Sequence, residues 1–275
     1  MEQEQSDILE TVRGYYSDFD ESKRFSVGSF KLEFARTCSI LARCLPLPPT
    51  KIYDIGGGPG AYAVWLAERG FIVDLLDPVE SHVSHARSAK VVGSGMLRAH
   101  VGDARALPYP DNSSPAALLL GPLYHLPNRE DRLQSLRECF RVLKPGGILV
   151  AAAISRYAST LAGLFEGAFA DPNFRQIAAQ DRATGQHRNK DRVPSYFTTG
   201  FFHHPDELRS EVEAAGFRVD EICAVEGPAG LLPDFDRAWD DPTMRAWIIE
   251  TAEAFESEPA ALAVSNHFLA IATRP

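Results

Sequence analysis

Hydrophobic positions divide the chain into an N-terminal helical part and a longer part in which strand-like and helix-like segments alternate. Leu32, Cys38 and Leu41 recur at helical spacing and predict helix within residues 6–45, which Pro46 ends. From residue 51, apolar runs typical of buried strands are predicted at 51–55, 71–76, 96–101, 116–121 and 148–154. The helices between them are predicted at 61–69, 80–89 and 129–142.

This alternation predicts a Rossmann-like, doubly wound α/β fold, because parallel strands are joined by right-handed crossover helices. Residues 155–204 break the rhythm and are predicted to form a helical cap insertion. The rhythm returns with a helix at 205–216, a strand at 217–225, a helix at 235–255 and a last strand at 267–273. The predicted organisation is therefore a helical segment 1–50, a core 51–154, a cap 155–204 and a return to the sheet in 205–275.

A glycine-rich loop, Asp54-Ile55-Gly56-Gly57-Gly58-Pro59-Gly60, follows the first predicted strand and opens a helix. Glycine lets the chain turn sharply and lets its backbone approach a ligand, and the helix N-terminus offers free N–H groups. Gly56, Gly58 and Ala61 also satisfy the relaxed dinucleotide pattern. An NAD(P)-dependent oxidoreductase and a tight turn without a ligand therefore stay open as alternatives.

Two further carboxylates follow predicted strands. Asp77 ends the second strand about 20 residues past the glycines, where a carboxylate can accept hydrogen bonds from ribose hydroxyls. Its alternative role is to cap the helix at 80–89. Asp103 follows the third strand, where it could accept the amine of an adenine beside the Ala104 N–H, or simply stabilise a turn.

Charge and composition narrow the possible partners. The net charge is -9 and no run of Lys and Arg would build a phosphate-binding face, which argues against nucleic acid. The four cysteines form no C-x-x-C pair and suit a reducing compartment. No secretory signal and no apolar run of about 18 residues is present, so we expect a cytoplasmic protein without membrane contact. No metal site can be assigned.

In chain order, the motifs DIGGGPG, LDP, GDARALP, LLLGPLYHL and RVLKPGGILV resemble those of class I S-adenosylmethionine (SAM)-dependent methyltransferases. The resemblance is strong over about residues 50–155 and is greatest to bacterial small-molecule methyltransferases with an LLLGPLYHL-type motif. It implies a seven-stranded sheet whose last strand is antiparallel and enters as a hairpin partner. It also implies that residues 1–50 form a lid and that RVLKPGG is a structural turn before the fifth strand.

The resemblance implies SAM as the cofactor, held at the ends of four strands. The implied contacts are Asp54, Gly56, Gly57 and Gly58 with the methionine part, Asp77 and Pro78 with ribose and adenine, Asp103 and Ala104 with adenine, and Leu120 and Gly121 on the far side. In the lid, Tyr16 is expected to touch the sulfonium or the substrate, and Arg24 or Arg36 to meet the methionine carboxylate. The alternative for each is ordinary helix packing.

The acceptor is expected beside Tyr124 and His125, just beyond the fourth strand. His125 is the predicted general base because an unperturbed histidine has a pKa near 6.5, although it could instead shape the loop. Tyr124 and Tyr16 are the other predicted catalytic contacts. The aromatic residues of 155–204 suit either a flat acceptor pocket or a cap core. We expect a small aromatic or amine-bearing acceptor and a monomer or homodimer; a non-catalytic SAM-binding protein is a further alternative.

Overall fold

A computed structural model describes residue 14, residues 21–191, residue 193 and residues 196–275. Tyr16 and almost all of the helix predicted before residue 21 therefore lie outside the described residues. The described N-terminal part contains a 3-10 helix, Glu21–Ser26, and an α-helix, Phe30–Cys44. Among the described residues, no helix combines the length and the apolar character needed to cross a membrane.

A seven-stranded sheet forms the centre of the fold, in the order β3-β2-β1-β4-β5-β9-β8. Its strands are β1 (Lys51–Ile55), β2 (Ile72–Asp77), β3 (Met96–Val101), β4 (Ser114–Leu119), β5 (Leu143–Ile154), β8 (Arg218–Ala224) and β9 (His267–Thr273). The strands from β1 to β5 pair in parallel, and β9 is antiparallel to both β5 and β8. The predicted Rossmann-like sheet with an antiparallel last strand is confirmed.

Helices cover both faces of the sheet, and alternate strand residues point to opposite faces. Ile52 belongs to one core cluster and its neighbour Tyr53 to the other. The first face is covered by the helices Phe30–Cys44, Ala61–Glu68 and Glu80–Ser88. The second face is covered by Arg129–Val142 and Pro205–Ala214. Since each crossover leads back to a parallel strand, the carboxyl ends of β1, β2 and β4 meet at one edge.

The connection between β8 and β9 differs from the prediction. The two strands are antiparallel neighbours, but they are not a tight hairpin, because residues 225–266 intervene. The single helix predicted over 235–255 is two helices, Phe235–Asp240 and Pro242–Ala254. Asp241 ends the first helix and caps the second, since its side chain accepts hydrogen bonds from the backbone N–H groups of Thr243 and Met244.

The predicted turn in RVLKPGG lies inside β5, not before it. Leu143 already pairs with Ser114, whereas the next paired residue, Ile148, faces Ala116, so residues 144–147 bulge out of register. Gly146 has a φ of +76° there, a conformation that glycine adopts readily. Extra residues on one strand are the usual cause of such a bulge, which bends the strand locally.

Residues 155–204 form helices and a small sheet beside the carboxyl end of β5. The helices are Ala158–Phe165 and Pro172–Thr184, with a 3-10 turn, Ala168–Ala170, between them. Two short antiparallel strands follow, β6 (Gln186–His187) and β7 (Gly200–Phe201). The guanidinium of Arg132, on the helix Arg129–Val142, lies 3.7 Å from the ring centroid of Phe201 and so attaches β7 to the core.

Candidate active site

The glycine loop between β1 and the helix Ala61–Glu68 needs glycine for three different reasons. Gly56 has a φ of +70°, and a Cβ there would lie 2.5 Å from the Pro122 ring. A Cβ at Gly57 would lie 2.5 Å from an Asp54 carboxylate oxygen. Gly58 has a φ of +56° and nothing within 4 Å of its would-be Cβ, so its backbone borders open space. A ligand can therefore approach the main chain at Gly58.

A cavity opens in front of this loop, and we call it the glycine-loop cavity. Among the described residues, it brings together the cofactor contacts that the resemblance implied, apart from Arg36. They are Arg24, Asp54, Gly56, Gly57, Gly58, Asp77, Pro78, Asp103, Ala104, Leu120 and Gly121. Tyr124 and His125 line the same cavity. The residues come from the ends of β1, β2, β3 and β4, which is the edge where ligands bind in open parallel sheets.

Asp54 is a buried carboxylate at the floor of this cavity. Neither of its oxygens has a hydrogen-bond partner among the described residues. Burial, together with the charge of Asp77, raises the pKa of Asp54 to about 7. A buried carboxylate without a donor is unfavourable, so this site favours a ligand that brings a positively charged donor. The α-amine of a bound SAM is such a donor, and the residues present fit that cofactor.

Asp77 ties the end of β2 to the glycine loop. One of its oxygens accepts from the Gly58 N–H at 2.9 Å, and the other accepts from the Val79 N–H at 2.9 Å. The second oxygen also lies 3.2 Å from Nδ1 of His82. Each carboxylate oxygen has two lone pairs, so Asp77 can still accept from ribose hydroxyls while it holds the loop.

Asp103 is less open than the sequence predicted. Arg105 faces it, with Nη2 at 2.6 Å from one oxygen and Nε at 3.1 Å from both. The backbone N–H of Arg105 also donates to Asp103 at 2.9 Å. The turn interpretation therefore holds, and Arg105 orients a carboxylate that borders the cavity. Arg105 belongs to the GDARALP motif, but no role was predicted for it from the sequence.

Arg24 reaches the cavity from the 3-10 helix. Its Nη2 lies 2.7 Å and 2.6 Å from the two oxygens of Glu33, and its Nη1 lies 3.2 Å from Glu21. The suggestion that Arg36 meets a ligand is wrong. Its side chain is fully buried and pairs with Glu253 and Glu256, which lie outside the residues that line the cavity.

His125 has a different electrostatic environment from the one expected. Burial lowers its pKa to about 3, and the nearby Arg24 and His82 add to this effect. Its ring stacks on Phe197 with centroids 5.2 Å apart. The expectation of a group that titrates near pH 6.5 is wrong, because a buried imidazole next to positive charge resists protonation. His125 is neutral at pH 7 and is a weak proton acceptor.

Tyr124 shapes the loop after β4. Its hydroxyl donates a hydrogen bond to the Leu120 carbonyl at 2.9 Å. Burial raises the pKa of Tyr124 to about 12, so the phenol stays protonated at neutral pH. With its proton directed to the Leu120 carbonyl, the hydroxyl can accept a hydrogen bond and the ring can pack against a substrate, but Tyr124 does not supply a base.

A second cavity, the aromatic cavity, meets the first at Glu21, Arg24 and Tyr124. Its aromatic walls are Phe30, Phe174, Tyr196, Phe197 and Phe202. Not every aromatic residue predicted from the cap segment lines it. Phe165 is largely exposed, and Phe201 packs under Arg132, so the cap aromatics divide between the cavity wall and other packing.

His267, at the start of β9, lines the aromatic cavity and was missed by sequence reasoning. Its Nδ1 lies 2.7 Å from Glu226 and 3.8 Å from Glu33. The three residues are of types that bind metals, and their ligand atoms lie within 4.8 Å of one another. However, both oxygens of Glu33 face the cation Arg24, which disfavours a metal ion at this position. His267 stands in no motif, so no local signal pointed to it.

The fold and the cavity fit a SAM-dependent methyltransferase, and comparisons with known proteins identify this class. A profile described as a methyltransferase domain matches residues 53–151. A demethylmenaquinone methyltransferase from Deinococcus radiodurans is 31% identical over 69% of this chain and 77% of its own length. A ubiquinone/menaquinone biosynthesis C-methyltransferase from Idiomarina loihiensis is 26% identical over 78% of this chain and 83% of its own.

The chain therefore belongs to the SAM-dependent methyltransferase family, with SAM as its cofactor, and the oxidoreductase alternative is wrong. A solved structure from Thermotoga maritima, titled as a possible histamine N-methyltransferase, shares the fold. It superimposes with a TM-score of 0.59 and 20% identity, over 96% of this chain and 99% of its own.

Proposed function

We propose that this methyltransferase methylates a ring carbon of a planar, hydroxylated aromatic molecule of the quinol type. The observation that supports this most is the aromatic cavity that opens into the glycine-loop cavity at Tyr124 and Arg24. Flat apolar walls with a few polar groups suit a ring that carries hydroxyl groups. The names of the Deinococcus and Idiomarina relatives, which refer to quinone biosynthesis, point to the same acceptor class.

The cofactor's place follows from the residues of the glycine-loop cavity. In this proposal Asp54 accepts from the α-amine, and Asp77 accepts from the ribose hydroxyls. Gly56, Gly57 and Gly58 border the methionine part. The adenine lies between the remaining contacts, which are Pro78, Asp103, Ala104, Leu120 and Gly121. When bound, SAM supplies an electrophilic methyl group on a sulfonium.

Most of the rate enhancement would come from positioning. Holding two reactants in line can contribute about 7–11 kcal/mol. Tyr124 is fixed by its hydrogen bond to Leu120, and Arg24 by Glu33, at the place where the two cavities meet. Phe197, which lines the aromatic cavity, stacks on His125. His125 is therefore proposed as a wall of the site and not as its base.

The two segments outside the core strands are proposed to enclose the site. Glu21 and Arg24 from the N-terminal segment border both cavities, as a lid over the cofactor would. Phe174 and Tyr196 from residues 155–204 border only the aromatic cavity. We propose residues 1–50 as the lid and residues 155–204 as the cap that shapes the acceptor pocket.

The test is a panel of acceptors incubated with the purified chain and SAM, with S-adenosylhomocysteine release as the readout. The panel contains a prenylated naphthoquinol, a simple catechol and histamine as the amine. We expect turnover with the naphthoquinol and a product whose added methyl group is on a ring carbon, as judged by mass fragmentation. Turnover with histamine alone, or methylation of oxygen alone, would contradict the proposal.

A further inference from the structure

A histidine and a glutamate form an ordered pair in the aromatic cavity, apart from the cofactor contacts. Nδ1 of His267 lies 2.7 Å from Oε1 of Glu226. The other oxygen of Glu226 accepts from the Ser265 hydroxyl and from the His267 backbone N–H, each at 2.9 Å. Glu226 is buried, so its carboxylate is held in one orientation by three donors.

This arrangement determines the protonation of the imidazole ring. An ionised carboxylate only accepts hydrogen bonds, so Nδ1 of His267 carries a proton and Nε2 is the nitrogen left for a ligand. No hydrogen bond joins Nε2 to another residue in the described ranges, and 12% of the side chain is exposed. His267 lines the aromatic cavity, in which the acceptor is proposed to bind.

Two of the other histidines that line the cavities, His187 and His125, differ from His267 in their partners or their environment. His187 uses both ring nitrogens on the protein, with Nδ1 at 2.9 Å from Asp181 and Nε2 at 3.2 Å from the Phe197 carbonyl. Burial, together with the charges of Arg24 and His82, lowers the pKa of His125 to about 3. His82 also pairs with a carboxylate, Asp77 at 3.2 Å, but it lines the glycine-loop cavity and not the aromatic cavity. His267 is therefore the histidine best placed to accept a proton from an acceptor in the aromatic cavity.

We propose that His267, oriented by Glu226, is the general base that takes a proton from a hydroxyl group of the acceptor. Glu226 is then a positioning residue, since it acts through the histidine. This inference rests on the proposed function, because it requires an acceptor that loses a proton. The pair repeats the general logic of a base held in the correct tautomer by a buried carboxylate.

The charges around His267 suit this role. Burial by itself would lower its pKa, as does Arg24 from the 3-10 helix Glu21–Ser26. The carboxylates of Glu33, from the helix Phe30–Cys44, and of Glu226, which follows β8, outweigh both and raise the pKa above its ordinary value. Burial would likewise raise the pKa of Glu226, but the charge and hydrogen bonds of His267 lower it. The protonated histidine is stabilised, so His267 is a stronger base than His125.

The proposed step balances as follows. Nε2 of His267 takes the proton of the acceptor hydroxyl, and the O–H bonding pair shifts into the ring. A ring carbon forms the new C–C bond to the methyl group while the S–CH₃ bond breaks and leaves its electron pair on sulfur. The methylated carbon then loses its hydrogen as a proton and the ring oxygen regains one. One proton is released to water for each methyl group transferred.

The test measures kcat and KM against pH with the naphthoquinol acceptor. For the wild type we expect kcat to fall on the acid side, with an apparent pKa above the ordinary histidine value of about 6.5. His267→Gln should lower kcat by about 10²–10⁴-fold and remove this limb, with SAM affinity nearly unchanged. Glu226→Gln should keep the limb but move it to lower pH, because one carboxylate that stabilises the imidazolium is gone.

Two controls separate this role from a structural one. His187→Gln alters another histidine of the same cavity and should leave the position of the acid limb where it is in the wild type. Calorimetry of SAM binding and circular dichroism show which variants are folded. If His267→Gln does not fold, the pH at which kcat of Glu226→Gln falls on the acid side decides whether His267 is the base.

Four results would overturn the inference. If the wild type methylates the naphthoquinol but kcat of His267→Gln still falls on the acid side as in the wild type, the inference is contradicted and the proposed function is not. The same holds if this fall occurs at the same pH in Glu226→Gln as in the wild type. Loss of wild-type turnover in EDTA would assign the cluster to a metal ion instead. A wild type that methylates no hydroxylated aromatic contradicts the proposed function, and this inference with it.

Discussion

Asp54 lies directly beneath Gly57: a Cβ at position 57 would lie 2.5 Å from Oδ2 of Asp54 and 2.7 Å from a methyl carbon of Leu75. The absence of a side chain at Gly57 therefore leaves the space that the Asp54 carboxylate occupies. That carboxylate is buried and has no hydrogen-bond partner among the described residues. The loop thus leaves a carboxylate that can accept hydrogen bonds from a positively charged group of a ligand.

Replacing Asp54 should separate stability from binding. Burial raises the pKa of Asp54 from its ordinary value of 3.8 to about 7 in the folded chain. The protonated carboxyl therefore contributes stability that is fully present below pH 3.8, and this contribution is lost as pH rises through about 7. The side chain of Asp54→Asn stays neutral at both pH values. The difference in free energy of unfolding between this variant and the wild type should therefore favour the variant more at about pH 8 than at about pH 5. Its affinity for SAM should fall by about ten- to a hundred-fold, since a charged hydrogen bond is lost. Thermal denaturation and calorimetry measure the two effects.

The same carboxylate predicts a proton release. The cofactor's ammonium should lower the pKa of Asp54, so a fraction of its protons leaves near pH 7 when SAM binds. Calorimetry in two buffers of different ionisation enthalpy should detect this proton release in the wild type. In Asp54→Asn the number of protons released should be smaller, because the asparagine side chain cannot contribute any. Equal SAM affinity and equal proton release in both proteins would remove Asp54 from the cofactor site.

Gly58 and Gly146 provide a matched pair of substitutions. Both have positive φ, +56° and +76°, and neither would-be Cβ meets an atom within 4 Å. Alanine at either position should therefore cost a similar strain energy, about 1–2 kcal/mol, measured by chemical denaturation. Only Gly58→Ala should also weaken SAM binding, because its methyl group enters the glycine-loop cavity. Similar SAM affinities for the two variants would show that the cofactor does not approach Gly58.

His125→Asn should leave the acid limb of the pH profile in place. With a pKa of about 3, His125 does not titrate in the range where the enzyme is assayed. We expect a loss of activity below about ten-fold, due to changed packing against Phe197, which is smaller than the loss of a general base causes. Steady-state kinetics against pH provide the measurement. An acid limb that disappears in His125→Asn would restore this residue as the base.

Arg132 should contribute strongly to stability. It is buried and pairs with Glu211 through two hydrogen bonds of 2.8 Å and 2.7 Å. Arg132→Ala should lower the free energy of unfolding by about 3–5 kcal/mol, because buried Glu211 loses both hydrogen bonds from Arg132, and the Arg129 guanidinium that remains is more distant, at 3.7 Å. Arg137→Ala, on the same helix, removes an exposed pair with Glu130 and should change it by less than about 1 kcal/mol. Urea denaturation of both variants makes the comparison, and equal effects would contradict it.

The pH dependence of this pair has a definite sign. Burial by itself would raise the pKa of Glu211, but hydrogen bonds from Arg132 and His203 lower it to about 2. The stabilisation is therefore present above the ordinary pKa of 4.5 and is lost as pH falls through about 2. Arg132→Ala should show a smaller loss of stability over this acid range than the wild type does.

Local patterns predicted most of the strands, whereas the family resemblance implied the antiparallel last strand and most of the residues that line the glycine-loop cavity. Strands β1 and β3 have the predicted bounds, because short apolar runs between turn residues leave few alternatives. Asp54 and Asp77 could be predicted because the carboxyl ends of parallel strands meet at one edge. The order of motifs along the chain therefore predicted which residues lie together in the cavity.

The remaining features depend on contacts between distant parts of the chain. His267 and Glu226 come from opposite ends of a long connection, and Glu33 reaches them from the N-terminal helix, so no spacing revealed the cluster. The pKa of His125 depends on burial by Phe197 and on the charge of Arg24, which the sequence places far away. Side-chain environments of this kind follow from tertiary packing and cannot be read from periodicity.

The most direct test of methyl transfer to a ring carbon uses SAM labelled with carbon-13 in its methyl group. The purified chain is incubated with the labelled cofactor and the prenylated naphthoquinol, and the product is analysed by NMR. We predict one labelled methyl signal with the chemical shift of an aryl-bound carbon and long-range coupling to ring carbons. A labelled signal with the shift of an O-methyl or N-methyl group, or label that stays entirely on SAM, would contradict the account.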